Sequence, residues 1–165
     1  MRTLFLLPVA FLASAIPTQA QMAIITPAQI GEIFCIASQG NDMAPVEALL
    51  TPQLSEAIGE ARQKNAAFEA AHPGDKPPLG DGLPWRGWQD YADTCTVSEV
   101  ITAPGTTSVT ITYVFSSTPD ATYTNSLRLQ PVETETGLPP FWRIDDVDLG
   151  DHNTLRKVLL SGFEL

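Results

Sequence analysis

Between Phe141 and Leu155 the chain reads FWRIDDVDLGDHNTL, and Asp145, Asp146, Asp148, Asp151 and His152 crowd into its middle. Clustered carboxylates hold calcium, and a carboxylate near an imidazole can move protons. Spacing argues against a calcium loop of the EF-hand kind. Begun at Asp146, such a loop has Asp151 where it needs glycine and Lys157 where it needs a bidentate glutamate. Only a looser carboxylate arrangement is left for calcium, and the expectation is no metal and no cofactor.

Side-chain direction offers a second test of the cluster. In a strictly alternating strand Asp146 and Asp148 would share a face with Trp142 and Ile144, which buries carboxylates at high cost. A bulge at Asp145 and Asp146 instead returns Trp142, Ile144 and Val147 to one apolar face and leaves most of the acid outside. Asp151 and Asn153 then read as alternative caps for a last short helix carrying Leu155, Val158 and Leu159.

Other catalytic patterns are scarce. His72 and His152 belong to no HxxxH or HExxH pair, and there is no GxSxG elbow, phosphate-cradling glycine loop or CxxC. General acid–base chemistry needs no motif, only one or two groups in a dry pocket. The residues suited to it are Asp90, Tyr91, Asp93, Tyr113, Tyr123, Asp146 and His152. Tyr113 and Tyr123 read first as core, since they lie on apolar strand faces.

The longest irregular stretch is HPGDKPPLGDGLPWRGW, residues 72–88, whose four prolines and four glycines defeat both helix and sheet. Trp85, Arg86 and Trp88 within it have the composition of a recognition surface. A competing reading folds the tryptophans back over the open end of the core.

The elements that must position these residues come in two blocks. Thr26, Pro27 and Gln29 spell a capping box, and Ile30, Ile33, Phe34 and Ala37 give the helix it opens one buried face, ending near Gly40. A second helical region, about 42–71, is broken before Pro52 with Thr51 as cap. From Asp93 onward the pattern is of strands, about four in all. Val109, Ile111, Tyr113 and Phe115 alternate with polar residues, as do Tyr123, Leu127 and Leu129, and STPDA joins these two runs as a hairpin. A last strand runs from Phe141 to about Asp148, after a break at GLPP. This is an α+β domain: N-terminal helices on one face of a curved, mainly antiparallel sheet, with a short C-terminal helix.

The first twenty residues, MRTLFLLPVAFLASAIPTQA, have the layout of a secretory leader, with cleavage expected between Ala20 and Gln21. Residues 21–165 then form a single domain with no membrane span, in the periplasm or outside the cell. In that compartment Cys35 and Cys95 are expected to form a disulfide, the alternative being two buried thiols. The net charge is −10, and the leader contributes only Arg2, so the mature chain is more acidic still. Such a chain repels nucleic acid and anionic lipid.

With TPAQI, GWQDYADTCTVSEV, VTITYVF, YTNSLRLQPV and WRIDDV in this order, the chain resembles a family of small exported bacterial proteins of unknown function, similar to the nuclear-transport-factor-two-like superfamily. WQD at 88–90 and WRIDDV at 142–147 carry most of the likeness. The resemblance implies helices folded over a curved sheet as a cone with a cavity, and leaves room for a homodimer paired through the sheet. No catalytic motif of the enzymatic branches aligns here. The expectation is therefore a non-enzymatic exported protein that binds a protein or small-molecule ligand in the envelope, an inhibitor or immunity protein for an envelope enzyme being one form of it. The alternative is a small isomerase, dehydratase or hydrolase with an Asp/Tyr pair in the cone.

Overall fold

The structure, a computed structural model, describes residues 24–80, 82–88, 90–132 and 141–163. Ala20, Gln21, Gln89 of WQD and the GLPP break lie outside the described residues.

Helix α1, Pro27–Gly40, opens as its sequence dictates. The Thr26 hydroxyl accepts from Gln29 N–H at 3.3 Å, while Gln29 Oε1 accepts from Thr26 N–H at 2.9 Å. The helix closes on Asn41, which takes the left-handed conformation that glycine or asparagine supplies at a C-cap. A short α2, Ala44–Glu47, is followed by α3, Pro52–Ala71, capped where Thr51 accepts from Leu54 N–H at 3.2 Å.

Five strands follow in one antiparallel sheet whose spatial order is the chain order: β1 Thr94–Ala103, β2 Thr106–Val114, β3 Tyr123–Val132, β4 Phe141–Gly150 and β5 Asn153–Thr154. The sheet is open, with one strand more than expected. The extra strand is the two-residue β5, brought back by a tight turn in which Asp151 and His152 both have positive φ, 50° and 62°. Turns of this hand usually advertise themselves with Asn-Gly or Gly-Gly, and this one does not.

One face of the sheet is covered by helices. Val109, Ile111 and Tyr113 of β2, Leu127 and Leu129 of β3, and Ile144 and Val147 of β4 are buried against Ile30, Phe34, Leu54 and Ile58. The close seat of α1 depends on Gly31, where a Cβ would fall 2.6 Å from Val109 Cγ1 and 2.8 Å from Val97 Cγ2. The same helix is tied to β1 by the disulfide between Cys35 and Cys95, with 5.8 Å between their Cα atoms. The final helix α4, Leu155–Ser161, buries Leu155 and Leu159.

The acidic stretch is organised by the expected bulge. Ile144 pairs with Leu129 and Asp146 with Arg128, so Asp145 is the extra residue in β4. Asp145 stays half-buried and accepts from Thr51 Oγ1 at 3.1 Å, from Gln130 Nε2 at 3.1 Å and from Arg156 Nη2 at 2.6 Å. One carboxylate thus joins the start of α3, strand β3 and helix α4. Asp148 and Asp151 are exposed, but Asp146 is buried, and its Oδ1 accepts from the N–H groups of Val147 at 2.9 Å and Arg156 at 3.0 Å. A buried carboxylate is tolerable there because the first turn of a helix has N–H groups to satisfy and a positive dipole end. The cap of α4 is corrected. Neither Asp151 nor Asn153 serves; α4 begins only at Leu155, directly after β5, so the cap falls to Thr154, which accepts from Lys157 N–H at 3.3 Å.

Among the described residues no helix is long and apolar enough to cross a membrane.

Candidate functional site

The proline- and glycine-rich loop does two things at once. Its apolar pegs, Leu79 and Trp85, enter the core, with Trp85 meeting Phe34 edge-on at 6.4 Å. Its polar anchors fix it from both sides. Leu79 N–H donates to Asn65 Oδ1 of α3 at 3.0 Å, and Gly87 N–H donates to Asn125 Oδ1 of β3 at 3.3 Å. At Gly87 the chain passes so close to β4 that a Cβ would lie 2.1 Å from the Leu149 carbonyl oxygen. No other residue fits at that point.

Anchored in this way, the loop forms one wall of a cleft of about 880 Å³ facing the end of α1. Ser38, Asn41 and Met43 line one side; Lys76, Trp85, Arg86, Trp88, Asp90 and Tyr91 are among those lining the other. The Arg86 guanidinium lies 4.0 Å from the centre of the Tyr91 ring, a cation–π arrangement, and Arg86 Nη1 donates to the Asp90 carbonyl oxygen at 3.4 Å. Trp88 Nε1 donates to Asp90 Oδ2 at 3.3 Å. Trp88 and Tyr91 nevertheless remain about half exposed, at 52% and 49%. The two tryptophans therefore split between the two expectations: Trp85 covers the core and Trp88 faces the cleft.

Beneath this wall, Tyr113 and Tyr123 face each other across β2 and β3 as cross-strand partners, their rings stacked 4.8 Å apart. The Tyr113 hydroxyl and Ser38 Oγ are hydrogen-bonded at 3.0 Å, linking the core to the cleft. Burial pushes the Tyr113 phenol up to about 12, with the Ser38 bond pulling partly the other way. Burial also raises Tyr123, and its hydroxyl has no hydrogen-bond partner among the described residues. The Arg86 charge opposes both shifts by favouring the phenolates.

The residues singled out for acid–base chemistry do not form one group: Asp90 and Tyr91 share the cleft wall and Tyr113 stacks on Tyr123, while Asp93, Asp146 and His152 lie apart. Asp90 sits at the cleft, held by Trp88. Asp93 pins the open ends of β1 and β2, its Oδ2 accepting from Ser116 N–H at 2.6 Å. Tyr113 lies in the core, Asp146 holds the first turn of α4, and His152 is exposed in the β4–β5 turn. On the helix-covered face of the sheet Leu127 and Leu129 are fully buried, and Phe115 and Trp142 are partly buried against the same core. Among the described residues no group of three or more His, Cys, Asp or Glu is placed to hold a metal ion.

Sequence reasoning missed Asn125 and Gly87. The signal at Asn125 was present: it interrupts the inward series Tyr123, Leu127, Leu129 with a polar residue, and a buried amide in such a series must be bonded to something. Comparison with family models, with curated proteins and with solved structures finds no match to this chain.

Proposed function

We propose that this is an exported binding protein that takes its ligand in the cleft between the end of α1 and the loop carrying Arg86, Trp88 and Tyr91. The observation that carries the reading is the pair of half-exposed aromatic rings, Trp88 and Tyr91, held in place by Asp90 and Arg86 on a wall anchored to the sheet. Exposed large aromatics on a soluble surface lose favourable burial unless something covers them, and fixing them in advance lowers the entropy lost when it does. A cleft of about 880 Å³ is of the size that small ligands occupy. Export is supported by the leader-like first twenty residues and by the Cys35–Cys95 disulfide, which persists in oxidising compartments. The likeness to the nuclear-transport-factor-two-like superfamily is supported by the order of helices and meander, and implies no particular ligand.

A thermal-shift screen of small molecules against the oxidised protein and Trp88→Ala in parallel tests the reading. Compounds that stabilise the wild type and lose that effect in Trp88→Ala are expected. Compounds that stabilise both proteins equally would place binding elsewhere.

A further inference from the structure

We infer that the cleft is a saccharide site: a neutral sugar ring stacks on Trp88 and its hydroxyls are read by Asp90 and Asn41. The inference rests on the binding reading above and names the ligand class for that site.

The chemistry of a sugar is unusual in having two surfaces. Its ring presents patches of C–H bonds to an aromatic face, while its rim presents vicinal hydroxyls that each donate and accept. A site for it needs an exposed, fixed aromatic plane beside short polar side chains of mixed donor and acceptor character. Trp88 supplies the plane. Its indole N–H is already committed to Asp90 Oδ2 at 3.3 Å, which fixes the ring edge and leaves the side chain 52% exposed. Tyr91 adds a second ring, backed by the Arg86 guanidinium at 4.0 Å. Asp90 brings an acceptor pair, and Asn41 brings an amide with both functions from the C-cap of α1. Ser38 is buried beneath the cleft, its hydroxyl donating to the Cys35 carbonyl at 2.9 Å and bonded to the Tyr113 hydroxyl at 3.0 Å, so it ties the floor of the cleft to the core rather than reading the sugar.

Three competing ligand classes fit less well. An extended peptide binds by adding a strand to a sheet edge, and none of the residues lining this cleft belongs to a strand. A lipid or sterol needs an apolar tunnel, whereas this cleft is lined by Lys76, Arg86, Asp90 and Asn41. A strongly charged metabolite prefers a wall of one sign, and here the cations Lys76 and Arg86 share the wall with the Asp90 carboxylate.

The test is an array of immobilised neutral oligosaccharides built from hexose and N-acetylhexosamine units, probed with the oxidised full-length protein. Hits are followed by isothermal titration calorimetry of wild type, Trp88→Ala, Trp88→Phe and Asp90→Ala. The expected result is at least one retained oligosaccharide whose affinity falls about tenfold or more in Trp88→Ala and Asp90→Ala, and only a fewfold in Trp88→Phe, which keeps a stacking plane. Retention of the Cys35–Cys95 disulfide and of the wild-type circular dichroism shows that the variants fold. An oligosaccharide bound equally by Trp88→Ala overturns both the saccharide inference and the cleft reading. If no oligosaccharide is retained but peptides or anionic metabolites give a Trp88-dependent thermal shift, the saccharide inference falls and the cleft reading stands. If neither oligosaccharides nor those other ligands show Trp88-dependent binding, both fall.

Discussion

Gly87 donates its N–H to Oδ1 of the buried Asn125 at 3.3 Å, and Nδ2 of the same Asn125 donates to the Asp148 carbonyl oxygen at 3.1 Å. One side-chain amide therefore stitches the proline- and glycine-rich loop to β3 and β4, and the position of Trp88, one residue beyond Gly87, follows from it. Replacing either partner should move the loop. Gly87→Ala forces a methyl group onto Leu149 O and should cost about 1–3 kcal/mol, as overpacking does. Asn125→Ala orphans a loop N–H and a strand carbonyl and should cost about as much. Thermal unfolding gives the magnitude, and a changed Trp88 emission reports the displaced loop. A melting point and spectrum unchanged in both variants would contradict the anchoring.

The Asp145–Arg156 pair makes a separate prediction about architecture. Arg156 Nη2 reaches Asp145 Oδ1 at 2.6 Å and its Nε donates to the Asp145 carbonyl at 2.7 Å, fastening α4 to the bulge. Both groups are partly exposed, so the charge component is screened and the hydrogen bonds to Thr51 and Gln130 matter as much. Asp145→Ala should cost about 2 kcal/mol, Arg156→Ala about 1 kcal/mol, and the double variant less than their sum. Denaturant unfolding of the cycle checks it. Asp146→Asn, which keeps an acceptor for the N–H groups of Val147 and Arg156, should be milder than Asp146→Ala and should leave ligand binding unchanged.

Much of this architecture was legible because it is written in local chemistry. The capping box at Thr26 and Gln29, the restart at Thr51 and Pro52, the alternation through Val109 and Ile111, and the bulge at Asp145 each depend on residues adjacent in the chain. The burial of Asp146 was not legible, because its partner is the N–H of Arg156 ten residues on, and although a last helix was expected, nothing in DVDLGD shows that its first turn folds back onto β4. β5 was missed for a related reason. Its turn uses Asp151 and His152 at positive φ, and non-glycine residues give no warning of that conformation. In the site, Trp88 and Arg86 were readable from composition, whereas the grouping of Asp90 and Tyr91 with the distant Ser38 and Asn41 exists only once α1 lies against the sheet.

Alkaline pH should expose the tyrosine pair. The Tyr113 phenol sits at about 12 in the folded chain against an ordinary value of 10.0, and Tyr123 is raised as well, so both hold their protons more tightly folded than unfolded. Their contribution is complete below pH 10 and is lost as the pH rises toward 12, amounting to about 2–3 kcal/mol for Tyr113. Denaturant midpoints measured between pH 8 and 12 should fall across this window. In Tyr113→Phe the fall should be shallower, beginning from a slightly lower stability at neutral pH because the Ser38 bond is gone.

Reduction should be costly. The disulfide links residues 60 apart in sequence, and a loop of that length corresponds to about 4 kcal/mol in the chain-entropy description. Melting curves with and without reductant should differ accordingly, and the oxidised chain should be lighter than the reduced one by two protons. Equal masses would mean that the thiols are free.

Amide chemical-shift mapping of the oxidised protein with a stabilising compound locates the proposed ligand, which should bind between the end of α1 and the anchored loop. The predicted result is perturbation of Asn41, Lys76, Arg86, Tyr91 and the indole N–H of Trp88, with the outer-face residues Thr110, Thr124 and Ser126 unmoved. Perturbation concentrated on those strand residues or along β1, with the Trp88 indole unchanged, would contradict it.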